Sequence, residues 1–97
     1  MADKISTNDL KSQKNGFVII DVRETDELEG GVITDSISMP LGLVIRNAKK
    51  KQIDNLKDKK ICTYCGTGYR GNIAADELIK EGFNAVTLEG GYTSWNQ

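Results

Sequence analysis

Ile61-Cys62-Thr63-Tyr64-Cys65-Gly66-Thr67-Gly68-Tyr69-Arg70-Gly71 passes from a β-prone run into a glycine-rich one, and Asn72 to Lys80 continues with helical periodicity. Lys60 to Tyr64 reads as a strand. Gly66 to Gly71 reads as a loop, because closely spaced glycines favour a curled backbone over either regular element. From Asn72 onward, Ala74, Ala75, Leu78 and Ile79 fall on one helical face, and Gly82 supplies the stop. A short apolar run followed by a helical stretch is the signature of an α/β fold when it repeats along the chain.

It does repeat. Phe17-Val18-Ile19-Ile20-Asp21-Val22 is a continuous β-rich run, as expected of a strand covered on both faces. Lys4-Ile5 reads as a brief first strand, Asn84 to Leu88 as the last, and Ser36-Ile37-Ser38-Met39 as an outer strand stopped by Pro40. Ser6 followed by Asp9 resembles a capping box with Asp in place of Glu or Gln, opening a helix that Gly16 ends. Thr25 to Glu29 supports only a short helix. Leu43 to Leu56 reads as one helix carrying Arg46, Lys49, Lys50 and Lys51, and Gly90-Gly91 turns the chain towards Trp95. The expected architecture is a central, mostly parallel sheet of about five strands with helices on both faces, forming one domain over residues 1–97.

Composition narrows the function. The 97 residues are 38% hydrophobic and 28% charged, which fits a globular domain and argues against disorder. A net charge of −1 gives no general attraction to nucleic acid. No apolar run approaches the ~20 residues of a membrane span, and Met1-Ala2-Asp3-Lys4 does not open a signal peptide. The expectation is a small cytoplasmic protein with neither nucleic acid nor membrane as a partner. The absence of histidine excludes a His-based triad, a His metal site and a His general base. Two cysteines are too few for a disulfide scaffold or a self-contained four-thiolate zinc site.

The chemistry concentrates on Cys65, where the strand ends. The glycines behind it permit a curled backbone whose N–H groups form an anion-binding nest, and the following helix adds its positive end. Both favour a thiolate, the reactive form of cysteine. Arg70 supplies a charge that cannot be lost, suited to holding the loop or an anionic substrate. Cys62 lies within the strand and reads as a small core hydrophobe. Cys62 and Cys65 also spell C-x-x-C, but three residues of extended strand span roughly 10 Å. A disulfide needs Cα atoms within about 7 Å.

The chain resembles the rhodanese domain, the single-domain sulfurtransferase module, over essentially its whole length. The family's C-x-x-G-x-R loop matches Cys65-Gly66-Thr67-Gly68-Tyr69-Arg70, and its D-V-R-E segment matches Asp21-Val22-Arg23-Glu24. The later glutamate and G-H-I correspond to Glu27 and Gly31-Val32-Ile33, and the I-P pair to Met39-Pro40. The G-F-x-x-V-x-x-L-x-G-G-x-x-x-W tail runs from Gly82 and Phe83 through Val86 and Leu88 to Gly90, Gly91 and Trp95. Two positions depart: Val32 replaces the usual histidine, and Gly71 stands where Ser or Thr is common. Arg70-Gly71 is similar to rhodanese modules attached to flavin-dependent disulfide reductases, and Cys-Gly-Thr-Gly resembles the Cys-Gly-Ser-Gly of mercaptopyruvate sulfurtransferases.

The resemblance implies a rhodanese-like sheet and transfer of sulfane sulfur through a persulfide on Cys65. The donor would be one such as thiosulfate, the acceptor cyanide, a thiol or a protein cysteine. The sulfur chemistry that the resemblance implies needs no metal or organic cofactor. Gly66, Thr67, Gly68, Tyr69 and Arg70 would form the substrate loop. Asp21 and Arg23 read as a structural ion pair beside it. Glu24, Asp26, Glu27 and Glu29 read as a solvated acidic patch, as do Arg46, Lys49, Lys50, Lys51, Lys57, Lys59 and Lys60 as a basic one. Three alternatives stand beside this reading. Phosphatase or arsenate-reductase chemistry uses a similar cradle, but its loop is one residue longer. A non-catalytic binding module commonly lacks the cysteine. A dithiol redox protein conflicts with strand geometry.

Overall fold

The computed structural model describes residues 2–96. Its five strands are β1 (Asp3–Ile5), β2 (Phe17–Asp21), β3 (Ile37–Ser38), β4 (Lys60–Tyr64) and β5 (Asn84–Leu88). They form one α/β sheet in the order β1-β5-β4-β2-β3, with every neighbouring pair parallel. Because β4 is the middle strand, Cys62 stands opposite Ile19 on one side and Val86 on the other. The β-rich run at β2 is interior as well. The edge strand β3 has two residues, both exposed, which fits its alternating sequence and the proline that follows.

The helices are α1 (Thr7–Gln13), α2 (Leu41–Lys49), α3 (Tyr69–Lys80) and α4 (Gly91–Trp95), with short 3₁₀ turns at Lys14–Gly16, Thr25–Gly30 and Asp54–Leu56. They divide between the two faces of the sheet. Val44 and Ala48 of α2 and Ala74, Ala75 and Leu78 of α3 pack with Ile20, Val22, Ile61 and Cys65. Leu10 of α1 and Tyr92 and Trp95 of α4 pack on the other face with Ile19, Cys62, Tyr64 and Leu88. Residues three apart on a strand point to opposite faces. Cys62 and Cys65 accordingly lie in different clusters, which excludes a C-x-x-C pairing by geometry.

Two helices differ from their sequence reading. The helix expected over 43–56 ends at Lys49. Lys51 takes the left-handed conformation (φ 62°), and the Gln52 N–H donates to Asn47 O (2.9 Å) while the Lys51 N–H donates to Ala48 O (3.4 Å). This is a Schellman ending with lysine where glycine is usual. Packing explains it. Val44 and Ala48 form the buried stripe, and one more turn would bring Lys51 and Gln52 onto it. Ending the helix lets Ile53 and Leu56 reach the core instead.

Helix α3 begins at Tyr69, three residues before the periodicity becomes visible, and so includes Gly71. Glycine disfavours a helix interior, yet here tertiary contact requires it. A Cβ at position 71 would stand 2.9 Å from Thr87 Oγ1 and 3.1 Å from Tyr64 Cα. Any side chain here would therefore crowd β4 and β5. Thr63 Oγ1 instead donates to Gly71 O at 2.7 Å, tying the first turn of α3 to β4.

Candidate active site

Cys65 follows β4 directly, at the carboxyl edge of the middle strand, the usual ligand position in open α/β sheets. Gly66 to Gly68 carry the chain into α3. Gly68 has φ +116°, a conformation that only glycine adopts without strain. Its N–H donates to Cys65 Sγ at 3.1 Å. The sulfur lies on the floor of the loop, with Cys65 only 1% exposed. The first N–H groups of α3 have no partner within the helix, and its positive end converges on the same place. Negative charge formed on this sulfur therefore meets donors already in position.

Helix α4 holds the loop from behind. The Tyr92 N–H donates to Cys65 O (2.8 Å), and the Thr93 N–H (3.0 Å) and Oγ1 (2.9 Å) both donate to Gly66 O. In a trans peptide the carbonyl and the next N–H point in opposite directions. Fixing these two carbonyls towards α4 therefore turns the N–H groups of Gly66 and Thr67 away from it. Gly91 makes the approach possible: it has φ +62°, and a Cβ there would stand 2.5 Å from Cys65 O and 2.8 Å from Gly66 O. Gly91→Ala is expected to cost about 1–2 kcal/mol through φ alone and to displace the loop, lowering kcat/KM by about a hundredfold. Gly90→Ala is the control, since its Cβ would meet only the Ser94 side chain. It should lower the urea midpoint while largely retaining activity.

Arg70 does not extend alone into the loop. Its two terminal nitrogens donate to Glu27 Oε1 (2.6 Å) and Oε2 (2.8 Å). Glu27 is exposed, as expected for a solvated patch, but it also pairs with the loop arginine, which the patch reading did not foresee. It is itself held in place, because Oε1 also accepts the Glu24 N–H at 3.1 Å in a capping box at the start of the Thr25–Gly30 turn. Hydrogen bonding to Arg70, and then to the Glu24 backbone, lowers the Glu27 carboxyl to about 2, while Glu27 raises Arg70. A carboxylate lowered in this way contributes its stabilisation above its unfolded pKa near 4.3 and loses it as pH falls towards 2. The pair is thus fully ionised throughout the neutral range.

Beneath this pair lies a second one, which is buried. Arg23 donates through Nε to Asp21 Oδ1 (3.0 Å) and through a terminal nitrogen to Asp21 Oδ2 (2.8 Å). It also donates to Gly31 O (2.8 Å), and its guanidinium lies 4.7 Å from the centre of the Tyr92 ring. The hydrogen bond to Asp21 raises Arg23 despite the opposing effect of burial. Val32, in the place of the family's usual histidine, is exposed. The segment closes instead through the Ile33 N–H donating to the Tyr64 hydroxyl at 3.0 Å. Tyr64, Tyr92 and Thr93 have structural roles that no local sequence signal disclosed. For Glu27 the alignment with a family glutamate was a signal, but its charged neighbours concealed the pairing.

Tyr69 is largely exposed and, with Thr67, Gly68 and Asn72, lines a cleft of about 260 Å³ on the β5 side of the loop. A larger cleft of about 500 Å³ lies among Lys11, Lys14, Gly16 and Lys60, at the starting ends of the strands. It includes no loop residue, so size alone does not mark the site. Cys62 is fully buried, and loss of solvation pushes its thiol up to about 12. Among the described residues, no three His, Cys, Asp or Glu side chains are grouped to hold a metal ion, and no helix is long and apolar enough to cross a membrane.

The rhodanese-like domain family matches residues 6–97. The chain belongs to that family. A sulfurtransferase of Allochromatium vinosum is 27% identical over 94 residues, covering 96% of this chain and 84% of that protein. A thiosulfate sulfurtransferase of Coxiella burnetii is 29% identical over 84 residues, covering 86% and 75%. The crystal structure of a rhodanese-related protein from Thermoplasma volcanium superposes with a TM-score of 0.83 at 34% identity, over 97% of this chain and 90% of that one. Other curated relatives are longer: the chain spans 22%, 59% and 46% of the length of three that are 30%, 35% and 31% identical to it.

Proposed function

We propose that this rhodanese-like domain is a sulfurtransferase in which Cys65 carries the transferred sulfur. The observation that supports this most is the position of Cys65 Sγ, at the end of the middle strand and facing the Gly68 N–H at the start of α3. In the first half-reaction the Cys65 thiolate attacks the outer sulfur of a donor such as thiosulfate. The bond between the donor's two sulfurs breaks, sulfite leaves with the electron pair, and Cys65 becomes a persulfide anion. In the second half-reaction a thiophile (cyanide, a thiol or a protein cysteine) attacks the terminal sulfur and the thiolate returns. The loop amides and the positive end of α3 stabilise the persulfide anion as they would an oxyanion.

The loop from Cys65 to Arg70 has the length found in sulfurtransferases, one residue shorter than in related phosphatases. The test is to treat the protein with excess thiosulfate or methanethiosulfonate, remove the donor and weigh the intact chain. A gain of one sulfur atom, lost again on adding cyanide, is the expected result. No adduct with either donor would favour a binding module. Hydrolysis of an aryl phosphate with no sulfur uptake would favour phosphatase chemistry.

A further inference from the structure

Sulfur donors differ in charge, and the loop's cation is already engaged. The side chains between Cys65 and Arg70 are uncharged. Arg70 gives both terminal nitrogens to Glu27, and Arg23 is paired with Asp21 below the surface. Three more carboxylates, Glu24, Asp26 and Glu29, are exposed on the same turn as Glu27. On the far side of the loop, Lys4 shares the small cleft with Glu89, so that side also carries both signs. The capping box gives Glu27 a second anchor, since Oε1 accepts the Glu24 N–H at 3.1 Å while the carboxylate pairs with Arg70.

We infer that Glu27 is a specificity-determining residue: by neutralising Arg70 in a fixed geometry, it makes the site select monoanionic organic sulfane-sulfur donors, such as alkyl persulfides and thiosulfonates, over the thiosulfate dianion. The inference rests on the sulfurtransferase reading above. Both donor types perform the same chemistry. Cys65 thiolate and a thiosulfonate anion give the Cys65 persulfide anion and a sulfinate; with thiosulfate the leaving group is sulfite. What separates them is one extra negative charge, brought towards a rim whose nearest cation is already neutralised. Unit charges a few ångströms apart near a protein surface interact strongly enough to separate donors that differ by one charge.

The experiment compares kcat/KM for thiosulfate and methanethiosulfonate, with cyanide as acceptor, in the wild type, Glu27→Gln and the double variant Glu27→Gln/Arg70→Gln, at low and high ionic strength. In the wild type, methanethiosulfonate is the better donor and thiosulfate turnover does not fall with added salt. Glu27→Gln exposes the Arg70 charge, so the thiosulfate-to-thiosulfonate ratio should rise about tenfold. Thiosulfate turnover should then fall as salt screens the attraction. The double variant is neutral again, and its ratio should return to the wild-type value even if loop order has suffered. A ratio that stays within about twofold in Glu27→Gln, or that rises equally in the double variant, would overturn the inference and leave Glu27 as a holder of the loop. These outcomes are distinct from failure of the sulfurtransferase reading, in which neither donor loads Cys65 in the wild type.

Discussion

Cys65→Ser is expected to eliminate sulfur transfer and leave the fold in place. Serine retains a group that can accept the Gly68 N–H, and it is slightly smaller than the cysteine it replaces, so neither the loop turn nor the cluster around Ile61, Ala74 and Leu78 is overfilled. Its oxygen cannot form a persulfide at all. Turnover of thiosulfate or methanethiosulfonate should therefore fall to the uncatalysed background, while the circular dichroism spectrum and urea midpoint remain close to wild type. Cys62→Ala supplies the contrast. Cys62 is buried on the opposite face of β4 among Leu10, Ile19 and Leu88, where burial keeps its thiol protonated. The truncation should cost about 1–2 kcal/mol and preserve transfer. Substantial residual turnover in a folded Cys65→Ser protein would remove Cys65 from the proposed mechanism, and a Cys62→Ala protein as inactive as Cys65→Ser would require a role for the second thiol.

The largest effect on stability is expected from Asp21→Asn. Asp21 is fully buried and Arg23 nearly so, and the carboxylate accepts the Arg23 backbone N–H as well as two of its guanidinium nitrogens. Replacing it with an amide leaves the guanidinium charge in a poorly solvated site without its counter-charge. Removing one member of such a pair costs about 3–5 kcal/mol. A chain of this length has roughly 5–15 kcal/mol in total, so a large part of the folding free energy would be lost. Tm should fall by roughly 15–30 °C. The site should loosen too, because Arg23 reaches Gly31 O and stacks near Tyr92, which grips the Cys65 carbonyl. Replacing both residues, as Asp21→Asn/Arg23→Met, removes the stranded charge and should recover part of the loss. Urea unfolding of the three proteins decides the matter. A shift below about 1 kcal/mol for Asp21→Asn would mean that solvent reaches this pair more freely than its burial indicates.

Much of this molecule was legible along the chain because its determinants are local. The runs at Phe17 to Asp21 and Lys60 to Tyr64 announce strands through unbroken β-prone composition, as expected where a parallel sheet is covered on both faces. Cys65 could be singled out for the same reason: strand, cysteine, glycines and helix occur consecutively, and that order alone places a thiol before a helix N-terminus. The opposed facing of Cys62 and Cys65 follows from the two-residue period of a strand.

Most of the features that only the tertiary structure decided join segments far apart in sequence. Glu27 and Arg70 are separated by 43 residues, and although Glu27 aligns with a family glutamate, nothing in its acidic neighbourhood names Arg70 as its partner. The hold of Tyr92 and Thr93 on the carbonyls of Cys65 and Gly66 spans 27 residues on the remaining side of the loop, and depends on a glycine whose need is steric contact, not turn propensity. Gly71 reads locally as a helix breaker and acts as the contact that lets α3 approach β4 and β5. The end of α2 at Lys49 is set by which side chains reach the core, overriding good helix formers. Propensity and periodicity report energies shared among neighbours within a turn or two. Ion-pair partners, close backbone approaches and helix ends are settled by which surfaces the sheet order β1-β5-β4-β2-β3 brings together.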